Sequence, residues 1–277
     1  MNTILFIQVG GNNKIAREVA YYMKKITAFI GSARKKATYQ TIQEFERNLK
    51  QHEEIDFEYV FLSEYNLKFC QGCCQCFDKG EEFCPLKDDR DVLLKKIEHS
   101  DGVIFATPSY AYQVSARMKN LLDRFAFMFH RPRFFGKTFT AIVTQGVPVG
   151  DKIRKYLEES GENLGFHVTK GCCVWTLDPM TESQRKKLKQ KVKKCSERYY
   201  KGLMRSTLPV PSIFRLMIFR TGRRGFQHAN ARYYDYDYYK DKGWFESDYY
   251  YETSLGPIKK LLGCFFDFLG EQVGKHM

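Results

Sequence analysis

No run of apolar residues in this 277-residue chain approaches the ~20 that a membrane-spanning helix requires, so no span is expected. The opening Met1-Asn2-Thr3-Ile4-Leu5-Phe6-Ile7-Gln8-Val9 lacks a basic flank and runs straight into Gly10-Gly11-Asn12-Asn13, a strand-and-turn pattern unlike an export signal. A cytoplasmic location is therefore expected. In that reducing compartment the nine cysteines should be thiols or metal ligands and not structural disulfides. Also missing are an internal repeat, the terminal Gly-Lys-Ser/Thr of a Walker loop and the Gly-x-Gly-x-x-Gly turn of dinucleotide folds.

What the chain does have is positive charge and aromatic rings. A formal charge of +13 would suit nucleic acid, an anionic membrane surface or polyanionic ligands. No nucleic-acid recognition motif accompanies it, and much of it falls on residues 185–194, which read as one helix with a solvated basic face. The 18 Tyr and 23 Phe crowd toward the last third. The length allows one main domain plus an appendage.

From Lys25 onward strand and helix patterns alternate. Apolar strands are expected at 26–30, 57–62, 102–106, 139–143 and within 166–175. Between them come helices carrying Ile42, Phe45 and Leu49, then residues 91–99, then Met118, Leu121, Leu122 and Phe125, then 151–164, with the basic helix at 181–200. Five strands separated by helices imply an α/β fold, a doubly wound parallel sheet covered on both faces. Past Leu208-Pro209-Val210-Pro211 the pattern changes to a short apolar helix at 212–220, a tyrosine-dense stretch at 233–251 and an amphipathic segment at 258–269.

Ligands of open parallel sheets sit beyond the carboxyl ends of the strands where strand order reverses, so the loops after strands one, three and four carry the argument. Gly31-Ser32-Ala33-Arg34-Lys35-Lys36-Ala37-Thr38 offers small residues, hydroxyls, a guanidinium and a helix N-terminus, and reads either as a phosphate cradle or as a capped tight turn. Thr107-Pro108-Ser109-Tyr110-Ala111-Tyr112-Gln113-Val114-Ser115 suits a flat heteroaromatic ring, or is an ordinary connection whose tyrosines pack on the core. Thr144-Gln145-Gly146-Val147-Pro148-Val149-Gly150 says by itself only that backbone comes close to something.

Taken together, Gly31-Ser32-Ala33-Arg34, Thr107-Pro108-Ser109-Tyr110 with Val114-Ser115-Ala116 and Leu121-Leu122-Asp123-Arg124, and Thr144-Gln145-Gly146 resemble the NADPH-dependent FMN reductase and iron–sulfur flavoprotein family of the flavodoxin-like superfamily. The likeness covers roughly residues 24–180. It implies FMN, with its phosphate near Ser32, Arg34, Ala37 and Thr38 and its isoalloxazine held by Pro108, Ser109, Tyr110, Ala111, Tyr112, Gln113 and Val114 and by Thr144, Gln145 and Gly146. Electrons would come from NAD(P)H. Because the cofactor carries the chemistry, no side chain is singled out as acid, base or nucleophile. Departures are Ala33 where the family commonly has proline, Thr38 one step before the usual threonine, and Tyr112-Gln113 where small residues are common, which puts a bulky ring beside the expected flavin face.

Five cysteines fall within fifteen positions, and Cys70, Cys73, Cys76 and Cys84 form a C-x2-C-x2-C-x7-C set suited to a [4Fe–4S] cluster. Zinc on the same thiolates and a metal-free loop are the alternatives, and Cys74 is surplus to four-ligand binding. Cys172, Cys173, Cys195 and Cys264 read as packing residues. The expected domains are an N-terminal extension at 1–22, a flavodoxin-like FMN-binding domain at 23–204 and a C-terminal extension at 205–277. Three readings of that extension compete. It is a dimerisation arm, which the family's frequent homodimers favour, a lid over the flavin, or a helix on an anionic membrane surface through Phe265, Phe266, Phe268 and Leu269 edged by Lys259 and Lys260. Two functions follow: an oxidoreductase passing electrons from NAD(P)H to a small acceptor such as a flavin or quinone, or an electron-transfer flavoprotein serving a protein partner.

Overall fold

The sheet is built from β-branched and aromatic runs that alternate between two faces. In the computed structural model, which describes residues 4–5, 21–177, 179–229 and 233–276, five parallel strands form first: β1 (Lys24–Ile30), β2 (Ile55–Phe61), β3 (Gly102–Pro108), β4 (Thr138–Gln145) and β5 (His167–Val168). Their order is β2-β1-β3-β4-β5, and β6 (Cys172–Trp175) continues the β5 position along the outer side of β4. The expected fifth strand is thus two short strands in line. At Gly171 the backbone runs so close to Ala141 that an added Cβ would lie 1.8 Å from its carbonyl oxygen, and the ladder breaks there. Most of the expected 1–22 extension lies outside the described residues; within it Ile4–Leu5 pairs antiparallel with Tyr21–Tyr22 in a separate two-stranded sheet.

Helices cover both faces. Ile26, Ala28 and Ile30 of β1 pack under α1 (Ala37–Leu49) and α6 (Glu182–Leu203), where Ile42, Phe45, Val192 and Tyr199 close one core layer. Phe29, Val103, Phe105 and Phe139 point the other way, under α3 (Arg90–Glu98), α4 (Ala116–Arg124) and α5 (Gly150–Asn163). This period-2 division is what a parallel sheet buried on both faces demands. The basic helix α6 opens on a capping box, the Thr181 hydroxyl accepting from the Gln184 N–H at 3.3 Å and the Gln184 amide accepting from the Thr181 N–H at 2.9 Å.

The chain beyond residue 205 forms its own aromatic core. α7 (Ile213–His228), α8 (Tyr234–Asp241) and α9 (Pro257–Gly274) surround Leu216, Phe219, Tyr239, Trp244, Phe245 and Tyr249. α7 and α9 lie close because α9 turns glycines toward α7: a Cβ on Gly270 would come within 2.5 Å of the Thr221 carbonyl oxygen. Asp267 of α9 accepts a two-pronged bond from Arg223, at 2.8 and 2.6 Å, which fixes the register of the pair. Phe266 is buried, while Ile258, Leu261, Phe265 and Phe268 form an exposed stripe on α9. Of the four residues expected on an exposed apolar face, Phe266 therefore faces inward, and Cys264, expected to pack, is exposed. Among the described residues no helix is long and apolar enough to cross a membrane.

Candidate functional site

Strand order reverses between β1 and β3, and the loops after β1, β3 and β4 open side by side at that carboxyl edge. They enclose an open cleft of about 190 Å³. Ser32, Arg34, Ala37 and Thr38 line it from the first loop, Pro108, Ser109 and Tyr110 from the second, and Thr144, Gln145 and Gly146 from the third. The structure thus brings ten of the fourteen expected residues to one place. Ala111, Tyr112, Gln113 and Val114 do not line it. Two residues that the sequence reading missed do: Lys36, which precedes α1, and Thr176, just past β6.

The first loop has the chemistry of an anion site. Lys36 is the N-cap of α1, yet no side chain caps the helix and no acid stands in its first turn. Its leading N–H groups, the positive end of the helix dipole and the cations of Arg34 and Lys36 therefore meet at the cleft. The two hydroxyls of Thr38 and Thr144 are 2.8 Å apart and buried, tying the first loop to the third. The Ser109 N–H donates to the Thr144 carbonyl at 2.8 Å and joins the second loop to the third. The Gln145 side-chain oxygen accepts from the Gly150 N–H at 2.6 Å, which closes the third loop onto α5. This donor set fits a phosphate-bearing ligand.

The second loop turns sharply. Tyr110 and Gln113 exchange both backbone bonds, at 3.0 and 2.9 Å, around Ala111 at φ 46° and Tyr112 at φ 62°. Two consecutive positive φ values define the turn type that ordinarily takes Asn-Gly, so non-glycine residues here store about 1–3 kcal/mol each. The turn swings the Tyr112 ring out to 67% exposure, away from the cleft that it would otherwise crowd. Ser115 ends the loop as the N-cap of α4, its hydroxyl accepting from the Met118 N–H at 3.3 Å.

Arg124, part of the motif after the second loop, serves the cysteine loop instead. Its guanidinium donates to both carboxylate oxygens of buried Asp88, at 2.8 and 3.0 Å, and to the Lys68 carbonyl at 3.1 Å, clamping the two ends of the loop onto α4. Cys74, at φ 57°, uses its carbonyl to cap the short helix α2 (Gln75–Asp78), accepting from Phe77 and Asp78. Burial pushes the Cys76 thiol up, Arg131 pulls against it, and the nearby Cys70 and Cys84 sulfurs add to the rise. Cys70 and Cys73 are exposed. Among the described residues no three Cys, His, Asp or Glu side chains gather as a metal site. Cys173 of β6 meets Asp151 of α5, and burial with that carboxylate pushes it up to about 12, which keeps it a protonated thiol.

The C-terminal extension is fastened to this body at a different point. Buried Arg131 donates to Asp235 of α8, to the Cys76 carbonyl at 2.7 Å and to Glu81 at 3.3 Å, and Asp235 also takes a 2.8 Å bond from His130. None of the described residues beyond 205 lines the cleft.

The family described as NADPH-dependent FMN reductase matches residues 24–176. An iron-sulfur flavoprotein of Archaeoglobus fulgidus is 33% identical over 134 residues, 48% of this chain and 60% of that protein. The chain spans 51–61% of the length of this and two further such relatives. Among solved structures, the NAD(P)H:quinone oxidoreductase from Methanothermobacter marburgensis superposes with a TM-score of 0.53 at 14% identity, over 63% of this chain and 96% of that one. RosB, solved with bound 8-demethyl-8-formylriboflavin-5′-phosphate, gives 0.52 at 12% identity over 84% of this chain and 92% of its own. At such identities the two structures speak for the fold.

Proposed function

Since the chain belongs to the NADPH-dependent FMN reductase family, we propose that it is an FMN-dependent oxidoreductase that passes electrons from NAD(P)H to a small acceptor, a flavin, a quinone or a similar molecule. The observation that carries this reading is the convergence of three loops on one cleft whose first wall is an uncapped helix N-terminus flanked by Arg34 and Lys36. In this reading Ser32, Arg34, Ala37 and Thr38 hold the FMN phosphate. Pro108, Ser109, Tyr110, Thr144, Gln145 and Gly146 border the ring, with Ala111, Tyr112, Gln113 and Val114 shaping the turn behind it. Bound FMN supplies hydride acceptance from the nicotinamide and electron release in ones or twos. The protein's part is to orient the ring and leave one face open to solvent and substrate.

A second reading makes the chain an electron carrier for a protein partner, with a [4Fe–4S] cluster on Cys70, Cys73, Cys76 and Cys84. The names of the iron-sulfur flavoprotein relatives favour it. The homodimer implied by the resemblance belongs to the proposal too, with the exposed stripe of α9 as the surface for the second copy. Sedimentation of Leu261→Asp, which should be monomeric, tests that surface. The function itself is tested by mixing purified, FMN-loaded protein with NAD(P)H and a quinone. Rapid NAD(P)H oxidation supports the reductase; a flavin reduced only through another protein supports the carrier.

A further inference from the structure

A second cleft opens against the first, on the far side of a shared wall. Trp175, Leu177 and half-buried Leu188 line its apolar side, and Lys187, Lys191 and Lys194 stand over it, in a space of about 640 Å³. The wall is the segment 175–177. Thr176 faces the first cleft while Trp175 and Leu177 line the second, and a Cβ on Gly146 of the first cleft would touch Leu177 at 3.3 Å. Residues two apart in extended chain are separated by about 7 Å, so the two spaces are neighbours at molecular scale.

The lining is unusual for a helix that is otherwise a solvated basic face. Trp175 and Leu177 are 41% and 51% exposed at the end of a strand whose preceding residues are buried. The lysines fall at i, i+4 and i+7, so they form one row along α6. None of the three makes a salt bridge among the described residues, although Lys191 lies within electrostatic reach of the exposed Asp151 carboxylate. An exposed indole beside a row of uncommitted ammonium groups matches a planar heterocycle that carries phosphate. It suits an uncharged apolar ligand or a flat protein surface less well.

We propose that this cleft takes the phosphorylated adenosine end of the nicotinamide donor, with the indole of Trp175 against the adenine and Lys187, Lys191 and Lys194 around the 2′-phosphate, so that α6 selects NADPH over NADH. The inference rests on the proposed donor reading and goes beyond it by assigning the selecting residues. A dinucleotide lying across the wall at 175–177 would place its nicotinamide in the mouth of the first cleft. The lysine row adds attraction with each phosphate charge, which is why the extra 2′-phosphate is the discriminating group.

The test uses full-length, FMN-loaded protein and adenosine 2′,5′-bisphosphate, a fragment with no nicotinamide. The sequence has two tryptophans, and Trp244 is buried, so quenching of intrinsic fluorescence reports chiefly on Trp175. Saturable quenching is expected, with 5′-AMP binding more weakly. The exposed Lys187→Gln, Lys191→Gln and Lys194→Gln changes, made together, should weaken the fragment about tenfold, the scale of losing charge-assisted bonds. They should also raise KM for NADPH by a similar factor and KM for NADH by less. Absence of saturable binding, or equal binding by the triple variant, would overturn the assignment. Protein that takes up no FMN yet binds the fragment would sink the proposed function and leave this subsite standing; FMN-loaded protein indifferent to the fragment does the reverse.

Discussion

The hydroxyls of Thr38 and Thr144 meet at 2.8 Å although 106 residues separate them, and this contact joins the loop after β1 to the loop after β4 across the cleft. Both groups are buried, so neither has water as a substitute partner. Thr38→Val removes one hydroxyl and leaves the other unsatisfied, a cost of about 1–3 kcal/mol. Denaturant unfolding should register that loss, and FMN should bind more weakly because the two loops lose their tie and the phosphate loses the Thr38 hydroxyl. Unchanged affinity would mean that the tie does not shape the binding site.

The turn at Ala111-Tyr112 holds two non-glycine residues at positive φ. Ala111→Gly relieves one of them and should stabilise the protein by about 1 kcal/mol. For a chain of this size that corresponds to a rise in Tm of about 2–4 °C. Calorimetry of the variant checks it; a fall in Tm would show that the turn is held by contacts that the Ala111 methyl makes.

Asp235 sits at 2% exposure between His130 and Arg131, and Arg131 itself is fully buried. Asp235→Ala leaves that guanidinium with Glu81, at 3.3 Å, as its remaining carboxylate, so the cost should approach but not reach the about 3–5 kcal/mol of breaking a buried pair outright. The C-terminal helices should then come loose, which limited proteolysis within the Leu208-Pro209-Val210-Pro211 linker would reveal. FMN binding should survive, because none of the described residues beyond 205 lines the cleft.

The cysteine loop separates the two functional readings. If Cys70, Cys73, Cys76 and Cys84 hold a cluster, anaerobically purified protein should contain iron and acid-labile sulfide, and a broad visible absorption should underlie the flavin bands. Cys73→Ser should abolish that absorption and Cys74→Ser should preserve it. Protein with FMN but neither iron nor sulfide removes the cluster and leaves the loop as a structural element clamped by Arg124.

Much of this arrangement was legible in the sequence, for a physical reason. Alternating strands and helices force successive connections to alternate between two edges of the sheet, so the loops that follow strands one, three and four had to share the carboxyl edge whatever their length. Ten of the expected residues line one cleft on that account. Thr176 was missed because the closing position of the last strand is set by its pairing with β4. The break at Gly171 was hidden because apolar residues continue across it, and only the approach of Ala141 interrupts the ladder. Nor does any pattern announce that Arg131 will meet Asp235: a lone charge has no periodicity, and its partner lies 104 residues away.

The central claim is that this cleft binds one FMN. The most direct measurement is equilibrium titration of apo-protein with FMN, with FAD in parallel and with Arg34→Ala as the variant. The account predicts near one-to-one uptake of FMN, weaker uptake of FAD, and reduced FMN affinity in Arg34→Ala with an unchanged far-UV circular dichroism spectrum. No flavin uptake on reconstitution, or a preference for FAD, would contradict it.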